Sequence, residues 1–160
     1  MHATIEWDGD GPEALAEAFE ELPDVLLEHL ADAAADIAAR IRGDAQRNAP
    51  VSRGELEASI ESVVTHVGTD LVRVVVGSNK DHAEPIERGT DPFFPPPDEL
   101  RTWARRVLGD EDAAFPVARS ISESGIDEQP YLRPALEDNL EWSMDRILQA
   151  IEASFAEVFG

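Results

Sequence analysis

Apolar positions recur at intervals of three and four residues through the first third of the chain. Leu15, Phe19, Leu22, Leu26, Leu30, Ala33, Ile37 and Ile41 make one stripe, the signature of an amphipathic helix. Pro23 falls inside that stripe. A proline there removes a backbone hydrogen bond and crowds the preceding turn, so the pattern reads as a short helix over 12–21 and a long one over 24–47, with Pro23 in the first turn of the second. The long helix is rich in alanine (Ala31, Ala33, Ala34, Ala35, Ala38, Ala39), which favours helix and permits close packing; Ala49-Pro50 ends it.

The period then changes to two. After a loop over 51–56, Ile60, Ser62, Val64 and His66 alternate with Glu61, Val63 and Thr65, and Leu71–Val76 is a β-branched run broken by Arg73. Gly68-Thr69-Asp70 supplies a turn, so 57–67 and 71–77 read as a hairpin. The stretch 81–97 holds Pro85, Pro92, Pro95, Pro96 and Pro97 and reads as an irregular loop, a kind of segment that often carries function. A helix follows with Leu100, Trp103, Ala104, Val107 and Leu108 on one face. A second covers about 113–124, with Gly125 as its left-handed cap. Residues 129–134 are extended. Pro134 then opens a last helix whose Leu136, Leu140, Met144, Ile147, Ile151, Phe155 and Val158 form a stripe. These elements predict an α+β fold: an antiparallel β-sheet built around a hairpin, packed against long N-terminal and C-terminal helices. A chain of 160 residues fits one domain over 1–160, with 1–11 as a flexible lead-in.

Charge changes the picture. Acidic residues number 34 and basic ones 13, a formal net charge of −21, and 12 of the 13 basic residues are Arg; Lys80 is the one Lys. Such a surface repels nucleic-acid phosphate. At ~0.1 M salt, like charges repel over a Debye length of ~10 Å; at molar salt this falls to ~3 Å. Many carboxylates with almost no Lys therefore predict a protein made in a very salty cytoplasm, from a halophilic and archaeal source. The competing reading is an acidic regulator such as a DNA-mimic inhibitor. No apolar run approaches the ~20 residues needed to span a bilayer, and the first residues lack the basic and apolar regions of a signal peptide, so a soluble protein with no membrane role is expected.

Candidate chemistry is sparse. There is no Cys, which excludes disulfides, thiolate zinc sites and thiol nucleophiles. His2, His29, His66 and His82 are scattered without metal-ligand spacing, and Asp81-His82-Ala83-Glu84 reads as an exposed polar loop. Asp8-Gly9-Asp10-Gly11 begins like a calcium loop, but Pro12 stands where a ligand belongs. Ser52, Ser59 and Ser78 lack the context of an activated nucleophile, and the glycines form no phosphate loop. No catalytic residue, metal or cofactor is predicted, and the chain reads as a non-enzyme.

Three segments are more specific: NAPVSRGELEASI (48–60), AEPIERGTDPFFPPPDELRTWARR (83–106) and ARSISESGIDEQPYLRPALED (118–138). In this order they resemble the tail-completion family of long-tailed double-stranded DNA viruses, also described as minor tail or head–tail joining proteins. Pro50, Val51, Gly54, Leu56, Ser59 and Ile60 match that family's first pattern, with Arg53 in place of its Thr. Glu87, Gly89 and Thr90 match the second, with Arg88 in place of an aromatic residue, and Pro130, Tyr131, Leu132, Pro134, Ala135 and Leu136 match the third. The resemblance covers about residues 25–158. It implies a small α+β subunit that assembles with itself as a ring, usually a hexamer, in the virion neck. It implies neighbouring neck and tail proteins as partners, and DNA passing through without sequence-specific binding.

The residues give physical content to that expectation. Phe93 and Phe94, flanked by prolines, are candidates for a subunit contact, because a stiff loop loses little entropy on docking; the alternative is that the rings fold back onto their own core. Arg101, Arg105 and Arg106 could form forked pairs with an acidic neighbour, or equally screen acids of their own chain. Gly54 and Gly89 mark unusual dihedrals or close approaches, or ordinary turns. Glu87 fixes a turn by accepting a hydrogen bond or is merely solvated, Thr90 and Asp91 cap a local turn, and Tyr131 and Leu132 pin the C-terminal helix against the sheet.

Overall fold

A computed structural model describes residues 12–50, 54–67 and 71–160. The lead-in 1–11, loop residues 51–53 and the hairpin turn 68–70 lie outside the described residues. The element order is α1 (Pro12–Asn48), α2 (Glu55–Ser59), β1 (Ile60–Val67), β2 (Leu71–Ser78), α3 (Ala83–Arg88), α4 (Pro97–Val107), a 3₁₀ turn (Glu111–Ala113), α5 (Ala114–Ser124), α6 (Leu132–Glu137) and α7 (Leu140–Phe159). The two strands form an antiparallel hairpin sheet, so the fold class is α+β as the periodicities predict.

Four local expectations are corrected. Pro23 does not divide the first helix: α1 runs unbroken through it for 37 residues. The proline costs one hydrogen bond, and good helix formers on both sides outweigh it; Phe19, whose carbonyl would have been the acceptor, is exposed to water. From Glu55 the expected loop gives way to one helical turn, α2, so the strand starts at Ile60 rather than 57. The segment 81–97 is not wholly irregular, because α3 forms around Pro85, in its first turn, where a missing N–H is harmless. Finally, the C-terminal helix starts at Leu132, inside the segment expected to be extended and two residues before Pro134, and it is interrupted. α6 ends at Glu137, Asn139 leaves helical dihedrals (φ −104°, ψ 1°), and α7 begins at Leu140.

The chain divides into two compact units. The first comprises α1 as far as Ala39, hairpin residues Val63–Val75 and Asn139–Gly160; the second comprises Arg40–Ser62 and Val76–Asp138. In the first unit, Asp36 accepts from Arg146 at 2.8 Å and His29 Nε2 lies 2.9 Å from Glu157 Oε2, which pairs α1 antiparallel to α7. The buried positions of these helices are small: Ala33, Ala34 and Ala38 with Ile37 on α1, Ala150 and Ser154 on α7. In the second unit, Gln46 on α1 donates to the Ile60 carbonyl at 3.2 Å, and the Ser59 and Ser78 hydroxyls meet at 2.6 Å across the base of the hairpin.

Across both units, 11 of the 16 buried apolar residues among those described are Ala; only Ile37, Ile41, Leu56, Ile60 and Tyr131 are larger. The large side chains lie elsewhere. The predicted C-terminal stripe is corrected here: Leu136, Leu140, Met144 and Phe155 are exposed instead of covering a sheet, and Leu15 and Phe19 on α1 are exposed as well. Helices whose small residues face each other approach closely, and the bulky face then has to point away.

Candidate interaction surfaces

The second and third sequence motifs meet in space. Glu87, at the end of α3, reaches the start of α6. Its Oε2 accepts from the backbone N–H groups of Tyr131 and Leu132, and its Oε1 from that of Arg133, all at 2.8 Å. A helix leaves its first N–H groups without partners inside the helix. The next residue, Pro134, has no N–H. One carboxylate therefore serves the whole first turn of α6, and its charge suits the positive end of the helix dipole. Glu87 is thus neither a local turn residue nor free surface.

The chain on either side of this contact is tied as closely. Thr90 N donates to the Ile126 carbonyl at 2.9 Å, and Ile126 N donates to Thr90 Oγ1 at 3.1 Å, an isolated antiparallel bridge. Gln129 N donates to the Ile86 carbonyl at 2.8 Å. Thr90 therefore joins segments 36 residues apart rather than capping a local turn. Gly89 (φ 71°, ψ −174°) and Gly125 (φ 77°, ψ −158°) both occupy a region nearly closed to other residues. A Cβ on Gly125 would stand 2.0 Å from the Thr90 carbonyl oxygen, and one on Gly89 2.7 Å from that of Ile126. The two glycines let the backbones touch. Gly54 differs: its φ is 70°, yet open space surrounds it, so it serves a turn.

Tyr131 anchors this clasp and is fully buried; Pro130 and Leu132 beside it are half-buried. Its hydroxyl has no hydrogen-bond partner among the described residues. Burial, and then the Glu87 carboxylate, raise its pKa above 10.0, since both oppose a phenolate. A groove of about 240 Å³ passes Gly77, Ser78, Ala83, Glu84, Glu87, Arg88, Tyr131 and Leu132, which places Tyr131 and Leu132 beside the end of β2. The groove offers no catalytic pairing: Glu87 is committed to three amides, Glu84 pairs with Arg88 at 3.5 Å, and the Ser78 hydroxyl meets that of Ser59. Among the described residues no group of three His, Asp or Glu could hold a metal ion.

The proline-rich loop leaves Phe93 and Phe94 partly exposed, at 45% and 53%. Phe94 packs edge-on against Phe115 of α5, centroids 6.3 Å apart, and Phe115 is itself 59% exposed. The three arginines of α4 are exposed. Arg101 donates to Asp98 at 2.9 Å, Arg105 to Glu111, and Arg106 also has an interaction within the chain.

Sequence reasoning missed Phe115 and the outward faces of α1 and α7. A signal existed for α7: Ser143, Ala150 and Ser154 make a second, small-residue stripe with helical spacing beside the bulky one.

No helix among the described residues is long and apolar enough to cross a membrane. No curated protein and no solved structure matches the chain significantly. Residues 13–89, from the first turn of α1 to the glycine that follows α3, match the HK97-gp10-like family, described as "Bacteriophage HK97-gp10, putative tail-component", and over that stretch the chain is similar to a phage tail component.

Proposed function

We propose that this chain is a structural protein of a tailed virus, a virion component of the tail or neck that works by assembling rather than by catalysis. The observation that carries the reading is the family match over 13–89. The motif order supports it beyond the matched stretch, since Glu87 holds Tyr131–Arg133 and Thr90 pairs with Ile126, both in the third motif, outside the match. The abundance of exposed large apolar residues fits a subunit completed by neighbours.

The finer reading is a tail-completion subunit that forms a homo-oligomeric ring, a hexamer, at the head-proximal end of the tail and makes it competent to join a DNA-filled head. Phe93 and Phe94, with Arg101, Arg105 and Arg106, are the proposed contacts in the second unit. The net charge of −21 supports an acidic lumen that DNA passes without adhering, and a host whose cytoplasm is very salty.

Mass spectrometry of purified particles and light scattering of the protein in molar KCl test this. The expected result is a ring-sized species in solution and the same chain in the virion. A chain absent from particles that instead inhibits a DNA-binding enzyme as a monomer supports the DNA-mimic reading and removes this one.

A further inference from the structure

α7 carries two unlike faces. Leu140, Met144, Leu148, Ile151, Phe155 and Phe159 fall within ~100° of its circumference. All but the half-buried Ile151 are exposed, Met144 at 60%. Phe159 touches Phe19 of α1 (centroids 5.2 Å) and Phe155 (5.8 Å), so the stripe continues onto Phe19 and Leu15, both exposed. Seven half-exposed side chains at on the order of 100 Å² each give ~700 Å², above what a typical monomer leaves open and close to one side of a standard interface. Along one edge run Glu141, Asp145 and Glu152, exposed and without an ion pair among the described residues.

The same unit holds a second unpartnered face. On the hairpin the exposed positions alternate: Glu61, Val63 and Thr65 on β1, Leu71, Arg73 and Val75 on β2. Val63, Leu71 and Val75 thus lie on one face with Arg73, which has no ion pair among the described residues. Within this unit the hairpin face runs from Leu71 to Val75 on β2, about 16 Å, so it covers about half of the ~30 Å length of α7.

We infer that the outward stripe of α7 receives the hairpin of a second copy of this chain, with the copy's Arg73 meeting the Glu141–Asp145–Glu152 edge. This rests on the ring reading above and specifies its contact. Charge selects the occupant. Two α7 stripes facing each other would juxtapose acidic edges, whereas the hairpin brings Arg73, without an ion pair among the described residues, on a mainly aliphatic face whose one exposed acid among the described residues is Glu61. A contact between different patches is head-to-tail, the kind that closes into rings, and its sockets on each copy stay open until the ring is complete.

The test uses the full chain in molar KCl, with mass read by light scattering. The helix variant is Met144→Glu with Leu148→Glu; the hairpin variant is Val63→Glu with Val75→Glu. All four positions are exposed, so circular dichroism and melting midpoint should match the wild type; Gln replaces Glu in either variant that does not fold. Each variant alone is expected at the monomer mass of 17.5 kDa. Mixed, they should form a dimer of twice that mass and stop, because the intact stripe of one takes the intact hairpin of the other and both free ends are then mutant. Arg73→Glu should also give monomer, with assembly regained when Glu141, Asp145 and Glu152 become Arg. A helix variant that assembles like wild type overturns this contact and leaves the ring reading standing. A hairpin variant that assembles while the helix variant does not overturns head-to-tail pairing in favour of α7 meeting α7. A wild-type chain that is monomeric in molar KCl overturns both the contact and the ring.

Discussion

The two compact units are held together by different means. The second concentrates its specificity in backbone hydrogen bonds: Glu87 on three amides of α6, Thr90 against Ile126, Gln129 on Ile86, and two glycines that let main chains touch. The first buries mainly alanine and serine on α1 and α7, ties the two helices through Asp36–Arg146, His29–Glu157 and the Phe19–Phe159 ring contact, and leaves most bulky side chains of α7 exposed. A clasp built on amide geometry tolerates almost no change at its contact atoms. A helix pair built on alanines is sensitive to added volume inside and indifferent to polarity outside, which leaves its outer face free to serve another molecule.

The sharpest way to break the contrast is Gly125→Ala. Its methyl group would overlap the Thr90 carbonyl oxygen and require a strained dihedral. A loss of about 3 kcal/mol or more is expected, seen as a lower urea midpoint at molar KCl; a variant as stable as wild type would show that the clasp is dispensable. Glu87→Ala comes next. Freeing three amides at the head of α6 should cost about 2–3 kcal/mol, with Glu87→Gln retaining part, and amide hydrogen exchange should quicken at Tyr131, Leu132 and Arg133.

In the first unit Ala33→Leu should cost about 1–3 kcal/mol by overfilling a fully buried site, whereas Met144→Glu should change monomer stability by no more than about 0.5 kcal/mol. Thermal melts of the two variants side by side decide whether the inside of this pair is small and the outside free.

The smallest effect belongs to Tyr131. Its pKa is raised on folding, so the native state holds the phenol proton to higher pH than the unfolded chain does. Stability from this group is intact below pH 10.0 and declines as pH rises through the folded pKa. Tyr131→Phe should remove that alkaline decline at almost no cost at neutral pH, since the hydroxyl has no partner among the described residues. Because Tyr131 is the one tyrosine, phenolate absorbance titrates it directly.

Local pattern made much of this molecule legible. The change of period from 3.6 to two located the hairpin, Gly125 ended α5, and the second and third motifs contain the segments that meet in the clasp. Pro23 and Pro85 misled because a proline rule states a cost, and flanking helix formers or a first-turn position can cover it. The C-terminal stripe misled for a deeper reason. Periodicity shows that a helix has an apolar face without showing whether that face meets its own chain or another.

The sequence by itself determined the long helices, the hairpin and the charge of −21, since dihedral preference, side-chain period and ionisation are properties of neighbouring residues. Only the tertiary structure decided that Glu87 serves the head of α6 and that α7 buries serine and alanine while displaying leucine, methionine and phenylalanine. Both outcomes depend on which surfaces, dozens of residues apart, come within contact range; close approach rewards small side chains there and leaves the large ones for a partner.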